Sequence, residues 1–130
     1  MQVRSIRPSE TQAVYELLAA NGWSHRIGPL SQFTVLLAAS QRTIVAVTPS
    51  GQVVGFARAI TDGLSNGYLS MVVVAPEFRR QGIGRALVAQ ATANAPSVTW
   101  VLRAGRIGAP ECFARLGFHP STVAMERPRE

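Results

Sequence analysis

Between positions 79 and 85 the chain reads Arg-Arg-Gln-Gly-Ile-Gly-Arg, which sets two glycines and three guanidinium groups at the start of an amphipathic pattern. Val72, Val73 and Val74 come just before, β-branched residues that favour a strand. Pro76 lacks the N–H needed to continue a ladder, so that strand ends near Ala75. Gly82 and Gly84 let the backbone approach a ligand closely. The first N–H groups of the helix that follows have no intrahelical partners and carry partial positive charge, a setting in which anions bind. Arg79, Arg80 and Arg85 add full charges in a geometry suited to phosphate. The chemistry these residues offer is recognition of a phosphate-bearing ligand.

Two absences narrow that ligand. A nucleotide-hydrolysing P-loop needs a lysine after its second glycine, and this chain has none. The dinucleotide fingerprint needs a third glycine three residues after the second, where this chain has Leu87.

With those excluded, Arg79, Gly82 and Gly84 resemble the signature of the GNAT family of acetyl-coenzyme A dependent N-acyltransferases: Arg or Gln, two residues, Gly, one residue, then Gly or Ala. A second resemblance lies about 30 residues downstream, where Cys112-Phe113-Ala114-Arg115-Leu116-Gly117-Phe118 is similar to the family's helix ending in Leu-Gly-Phe, with Gly117 as C-cap. Together they cover roughly residues 45 to 127.

The resemblance implies a mixed α/β fold with a mostly antiparallel central sheet, flanked by helices and splayed at the cofactor strand. It implies acetyl-coenzyme A as cosubstrate, held by Arg79, Arg80, Gln81, Gly82, Ile83, Gly84 and Arg85, with the pantetheine arm along Val72, Val73 and Val74. A main-chain N–H near Val73 or Val74 would meet the tetrahedral oxyanion, a contribution of about 3 to 4 kcal/mol. Where many members carry a tyrosine that protonates the leaving thiolate, this chain has Phe113, which keeps the ring and has no proton to give. A positioned acid contributes about 10²- to 10⁴-fold, so this departure matters. Cys112, next to it, is one candidate donor, and a small packed residue is its plainer reading. Arg106 stands near the family's helix-start asparagine and could instead meet a phosphate.

The acceptor that the resemblance implies is a primary amine, of a small molecule or a protein, which must lose a proton because alkyl ammonium groups titrate near ~10. Trp23 and His25 lie where the family lines its acceptor side, and Tyr68 and Ser70 alternate along the strand leading to the site. His119 and Glu77 read as surface, and Trp100 as core. A non-catalytic coenzyme A binding or sensing module is the competing reading, argued by Phe113.

Thirteen arginines against seven acids give a net charge of +6 and predict anionic partners, which the proposed phosphate site meets in part. Such a surface disfavours a polycationic acceptor unless Glu16, Asp62 and Glu111 gather at the cleft. Nucleic acid is not expected, since basic and aromatic residues are not interleaved. One cysteine and no Cys/His cluster predict neither disulfide nor metal site. No apolar stretch approaches the ~18 residues of a membrane span and the N-terminus has no signal-like core, so a cytoplasmic protein is expected, with homodimerisation open.

At 130 residues and 47% hydrophobic the chain suits one domain over 1–130. A strand is expected over 2–7, a helix from Pro8 to Asn21-Gly22, a loop over 23–28 and a helix over 30–40. Two strands, 43–48 and 52–60, flank the Pro49-Ser50-Gly51 turn. A strand over 68–75, a helix over 82–94 stopped by Pro96, a strand over 98–102, a helix over 107–116 and a closing strand over 118–126 complete the pattern.

Overall fold

The computed structural model describes residues 1–130. In chain order the elements are β1 Gln2–Ser5, α1 Thr11–Leu18, α2 Ser24–Ile27, α3 Leu30–Ala38, β2 Arg42–Val47, β3 Val53–Thr61, β4 Asn66–Val74, α4 Ile83–Ala91, β5 Thr99–Val101 and α5 Ala109–Ala114. They build a five-stranded sheet in the order β1-β2-β3-β4-β5. The first four strands pair antiparallel, and β5 joins β4 in parallel.

Both hairpins have local causes. Gly51, at φ +91°, occupies a conformation open to glycine, and the Thr48–Gln52 turn closes through main-chain bonds. In the β3–β4 turn Asp62 Oδ1 accepts from the N–H groups of Leu64, Ser65 and Asn66, which holds its carboxyl below the usual range.

Each face of the sheet has its own core. Val14, Leu18, Phe33 and Leu37 of α1 and α3 pack on Val45, Phe56, Met71 and Val73. On the other face α4 sets Ile83, Leu87, Val88 and Ala91 against Val54, Ala57 and Leu69. The close approach of α4 requires Gly55, where a Cβ would lie 2.9 Å from Leu87 Cδ1. Truncation of a fully buried leucine such as Leu87 costs about 2 to 5 kcal/mol.

A bulge in β4 decides which residues can face a ligand. Phe56 pairs with Val73 and Arg58 with Ser70, so Met71 and Val72 together oppose Ala57. Met71 takes φ +55°. Leu69 therefore packs toward α4 whereas Met71, two residues on, packs toward α1 and α3, a reversal that an uninterrupted strand would not allow.

Several elements differ from the expected pattern. The stretch 118–126 forms no strand. Pro120 lies within it, and Ser121 Oγ accepts from the N–H groups of Val123 and Ala124, so turn chemistry displaces strand pairing. β5 is only Thr99–Val101. The first helix stops at Leu18, widens through Ala19–Trp23 with Gly22 at φ +90°, and continues into α2 where a loop was expected. α4 ends at Ala91, ahead of Pro96: Thr92 bonds back to the Val88 carbonyl and Asn94 turns left-handed. Gly117 does cap the last helical segment, at φ +94°, with Phe118 N–H reaching the Phe113 carbonyl.

Candidate active site

Strand β5 pairs with β4 only at Asn66, Gly67 and Tyr68. Beyond Tyr68 that edge of β4 is open as far as Val74, since no strand follows β5 in the sheet. Gly67 permits this junction, because a Cβ there would collide with the Trp100 ring at 2.5 Å. Trp100 itself is half-buried, with the Arg42 guanidinium 5.7 Å from its ring centre.

At the C-terminal end of β4 the chain enters α4 through the glycine loop. Arg80 (φ +64°) and Gly82 (φ +82°) are both left-handed. The Arg79 N–H bonds to the Pro76 carbonyl and the next main-chain bond is Ala86 N–H to the Gly82 carbonyl. The six amides between them, Arg80 to Arg85, have no partner in the protein. Consecutive free N–H groups in such a turn form an anion-binding concavity at the positive end of a helix. The loop is also open: a Cβ on Gly82 would meet nothing within 4 Å, and one on Gly84 only Val74 Cγ2 at 3.8 Å.

The arginines of this loop divide their tasks. Arg79 Nε donates to the Val74 carbonyl at 2.9 Å and its Nη2 to Asn21 Oδ1 at 3.2 Å, so it ties the loop to β4 and to the end of the first helix. Arg85 reaches the Arg115 carbonyl at 3.4 Å, and Arg80 and Gln81 are exposed.

Below the open edge lies a cleft of about 540 Å³. Trp23, His25, Tyr68, Ser70, Val72, Arg106 and Phe113, all singled out from the sequence, line it together. Val73 faces the opposite core, and Val74 packs toward α4. Cys112 is exposed on α5 and does not line the cleft, because on that short helix its neighbour Phe113 takes the inward position against Phe118. Arg106 does not join the glycine loop. Its Nη1 donates to the Asn21 carbonyl at 2.9 Å, and its guanidinium stacks 4.4 Å from the centre of the Trp23 ring. Asn21 thus joins the two ends of the site, with its side chain on Arg79 and its carbonyl on Arg106. Burial and the nearby Arg79 charge pull the Arg106 guanidinium below its ordinary value.

Burial pushes the Tyr68 phenol above its usual value despite the neighbouring Arg103, so it stays protonated at neutral pH. Arg58, absent from the sequence-based candidates, is 8% exposed in the middle of β3 and also lines the cleft. Its Nε donates to Ser40 Oγ at 2.7 Å, and desolvation lowers its pKa. The available sequence signal was a lone arginine within the otherwise apolar run Val53–Ile60.

The family model described as an acetyltransferase (GNAT) domain matches residues 39–120. The chain belongs to the GNAT acetyltransferase family. No curated protein matches it by sequence. Among solved structures, a GNAT-family acetyltransferase from Streptococcus pneumoniae superposes with TM-score 0.77 at 24% identity, covering 99% of this chain and 97% of that one. The glucosamine-6-phosphate N-acetyltransferase of Arabidopsis thaliana gives 0.74 at 13% identity, covering 99% and 98%. An aminoglycoside antibiotic 6'-N-acetyltransferase from Acinetobacter haemolyticus gives 0.75 at 18%, covering 100% and 99%. At these identities the likeness is one of fold. The GNAT fold accounts for the parallel β4–β5 pair that opens beyond Tyr68, and for the helices packed on both faces. No helix of this GNAT chain is long and apolar enough to cross a membrane.

Proposed function

We propose that the protein transfers an acetyl group from acetyl-coenzyme A to a primary amine bound in the cleft. The observation that carries this reading is the run of unpartnered amides from Arg80 to Arg85, next to a β4 edge that β5 leaves open. The coenzyme diphosphate fits those amides, and the amide-bearing pantetheine arm fits the open edge at Val72 to Val74. That path leads the thioester toward the mouth of the cleft.

The amine nitrogen attacks the thioester carbonyl carbon and a C–N bond forms. The displaced electron pair rests on oxygen, where a main-chain N–H of the Val72–Val74 segment can donate. Collapse breaks the C–S bond, and one proton passes in net from nitrogen to sulfur. Phe113 supplies no proton, so we assign the donor role to the Tyr68 phenol, protonated in its buried setting and on the cleft wall. Ser70 lies on the same wall and can orient the amine. His25, exposed at the rim, is the candidate base, and Trp23 with Arg106 forms the facing wall. The printed names of two structural neighbours, a glucosamine-6-phosphate and an aminoglycoside N-acetyltransferase, support a small-molecule amine as acceptor.

Calorimetry with acetyl-coenzyme A, followed by thiol release across a panel of amines, tests the proposal. Micromolar coenzyme binding and amine-dependent thiol release are expected. A folded protein without coenzyme affinity overturns it. Binding with no thiol release on any amine would favour instead the coenzyme-sensing module that Phe113 suggests.

A further inference from the structure

We infer that the amine acetylated here carries an anionic group of its own, a carboxylate or a phosphate, and that Arg58 anchors that group in the cleft. This rests on the acetyl-transfer reading and adds to it the charge of the acceptor.

Five arginines, Arg26, Arg58, Arg103, Arg106 and Arg129, line the cleft, and no aspartate or glutamate does. The acids that could have reversed this sign are engaged elsewhere. Asp62 closes the β3–β4 turn, Glu16 bonds with Gln12 on the exposed side of α1, and Glu111 is exposed on α5. Only Arg103 has a carboxylate partner, the half-exposed Glu126 at 3.0 Å, so the other four guanidinium groups of the cleft have none.

Arg58 is the informative member. A guanidinium stays charged in proteins, and a buried charge without a counter-ion is costly. Yet its one hydrogen bond from the side chain is to the neutral hydroxyl of Ser40. An anionic ligand in the cleft would give the Arg58 guanidinium the charged acceptor that the fold itself does not supply.

The coenzyme phosphates are not this anion. None of residues 79–85 lines the cleft, and Ser70, the β3–β4 partner of Arg58, lies four strand residues from Val74, about 13 Å at the usual rise. The same guanidinium field disfavours the ammonium form of the acceptor, which raises the share of free amine able to attack. It also repels a polycationic amine.

The test uses matched amines with the intact protein saturated in acetyl-coenzyme A. Amino acids are compared with the amines left by removing their carboxylate, and phosphoethanolamine with ethanolamine, so the two arms separate a carboxylate from a phosphate. The anionic member of a pair is expected to show kcat/KM at least about ten-fold higher, a discrimination of the size one charged contact supplies. Arg58→Gln should raise the KM of that amine about 10- to 100-fold while the affinity for coenzyme A changes less than about two-fold. Arg58→Lys, which keeps the charge, should recover part of the loss, and Arg26→Gln at the rim gives a smaller shift in the same direction should Arg58→Gln fail to fold. In parallel, inorganic phosphate and γ-aminobutyrate are titrated by calorimetry into protein saturated with coenzyme A. At least one should bind, and that heat should vanish in Arg58→Gln. A preference for the neutral or cationic member, or no binding of either probe together with no acetylation of any anionic amine, overturns the inference. Failure of coenzyme A itself to bind would overturn the acetyl-transfer reading instead. The anion site is then tested separately by titrating phosphate into Gly84→Val and into Gly84→Val with Arg58→Gln.

Discussion

The turn into α4 presents positive potential through main-chain N–H groups of consecutive residues, Arg80 to Arg85. The cleft beside Tyr68 presents it through guanidinium groups delivered by α2, β3 and the β5–α5 connection. Backbone donors held by a helix and two left-handed residues are rigid, and they suit one invariant ligand group. Side-chain donors from separate elements can be exchanged one at a time without moving the sheet, and they suit a variable partner. The two halves of one site thus carry the same sign of charge and still answer to different kinds of mutation.

The largest effect should come from adding bulk to the backbone cradle. Gly84→Val has room within the protein, since only Val74 Cγ2 lies near the new Cβ. Coenzyme affinity should therefore fall about 100-fold or more, the scale of a misplaced binding contact, while the melting temperature stays nearly unchanged. Calorimetry and thermal denaturation read the two quantities, and unchanged affinity would break the assignment of the loop.

At the other end, Tyr68→Phe removes a proton and keeps the ring. It should lower kcat about 10- to 100-fold at constant coenzyme affinity if this phenol serves the thiolate. Stopped-flow thiol release would show it, and Tyr68→Phe at full rate would remove the residue from the mechanism. Phe113→Tyr sharpens the point, because it offers a second phenol in the same cleft and should restore turnover to the Tyr68→Phe protein.

Trp23→Ala removes the surface on which Arg106 stacks. We expect an acceptor KM about ten-fold higher, with the coenzyme affinity held within about two-fold; His25→Ala should act on the same side through kcat. The reverse pattern in steady-state kinetics, with coenzyme binding lost and acceptor kinetics intact, would erase the distinction between the two ends.

The smallest effect lies outside both. Glu10 is held below its ordinary carboxylate value by the Arg4 guanidinium at 2.8 Å. A carboxyl depressed in the folded state contributes stability above its unfolded value of about 4.5 and loses it as pH falls through the folded one. Melting temperature should thus decline below pH 4.5 less steeply in Glu10→Gln than in the unaltered protein, as calorimetric scans across pH 3 to 6 would record.

The amino-acid sequence by itself determined the glycine loop, the strand before it, the Pro49–Gly51 hairpin and the Gly117 cap, because each depends on backbone preferences within a few residues. Trp23, His25, Tyr68, Ser70 and Phe113, up to ninety positions apart, became readable as neighbours only through the family resemblance. Local rules failed where partners came from far along the chain. The stretch 118–126 stood where a closing strand was expected, yet turn bonds at Ser121 prevailed and β5 remained an edge. Cys112 and Phe113 are adjacent in sequence, and only the packing of α5 decided which of them faced the cleft. Above all, tertiary structure decided the charge of the acceptor site. Arg26, Arg58, Arg103 and Arg106 are scattered over eighty residues, and apart from the apolar run around Arg58 nothing local sets them off from the other arginines. The β4 bulge, the short β5 and the turn through Gly22 bring them to one cleft that no acid lines. Electrostatic fields sum over space, and distance through the fold cannot be read from separation along the chain.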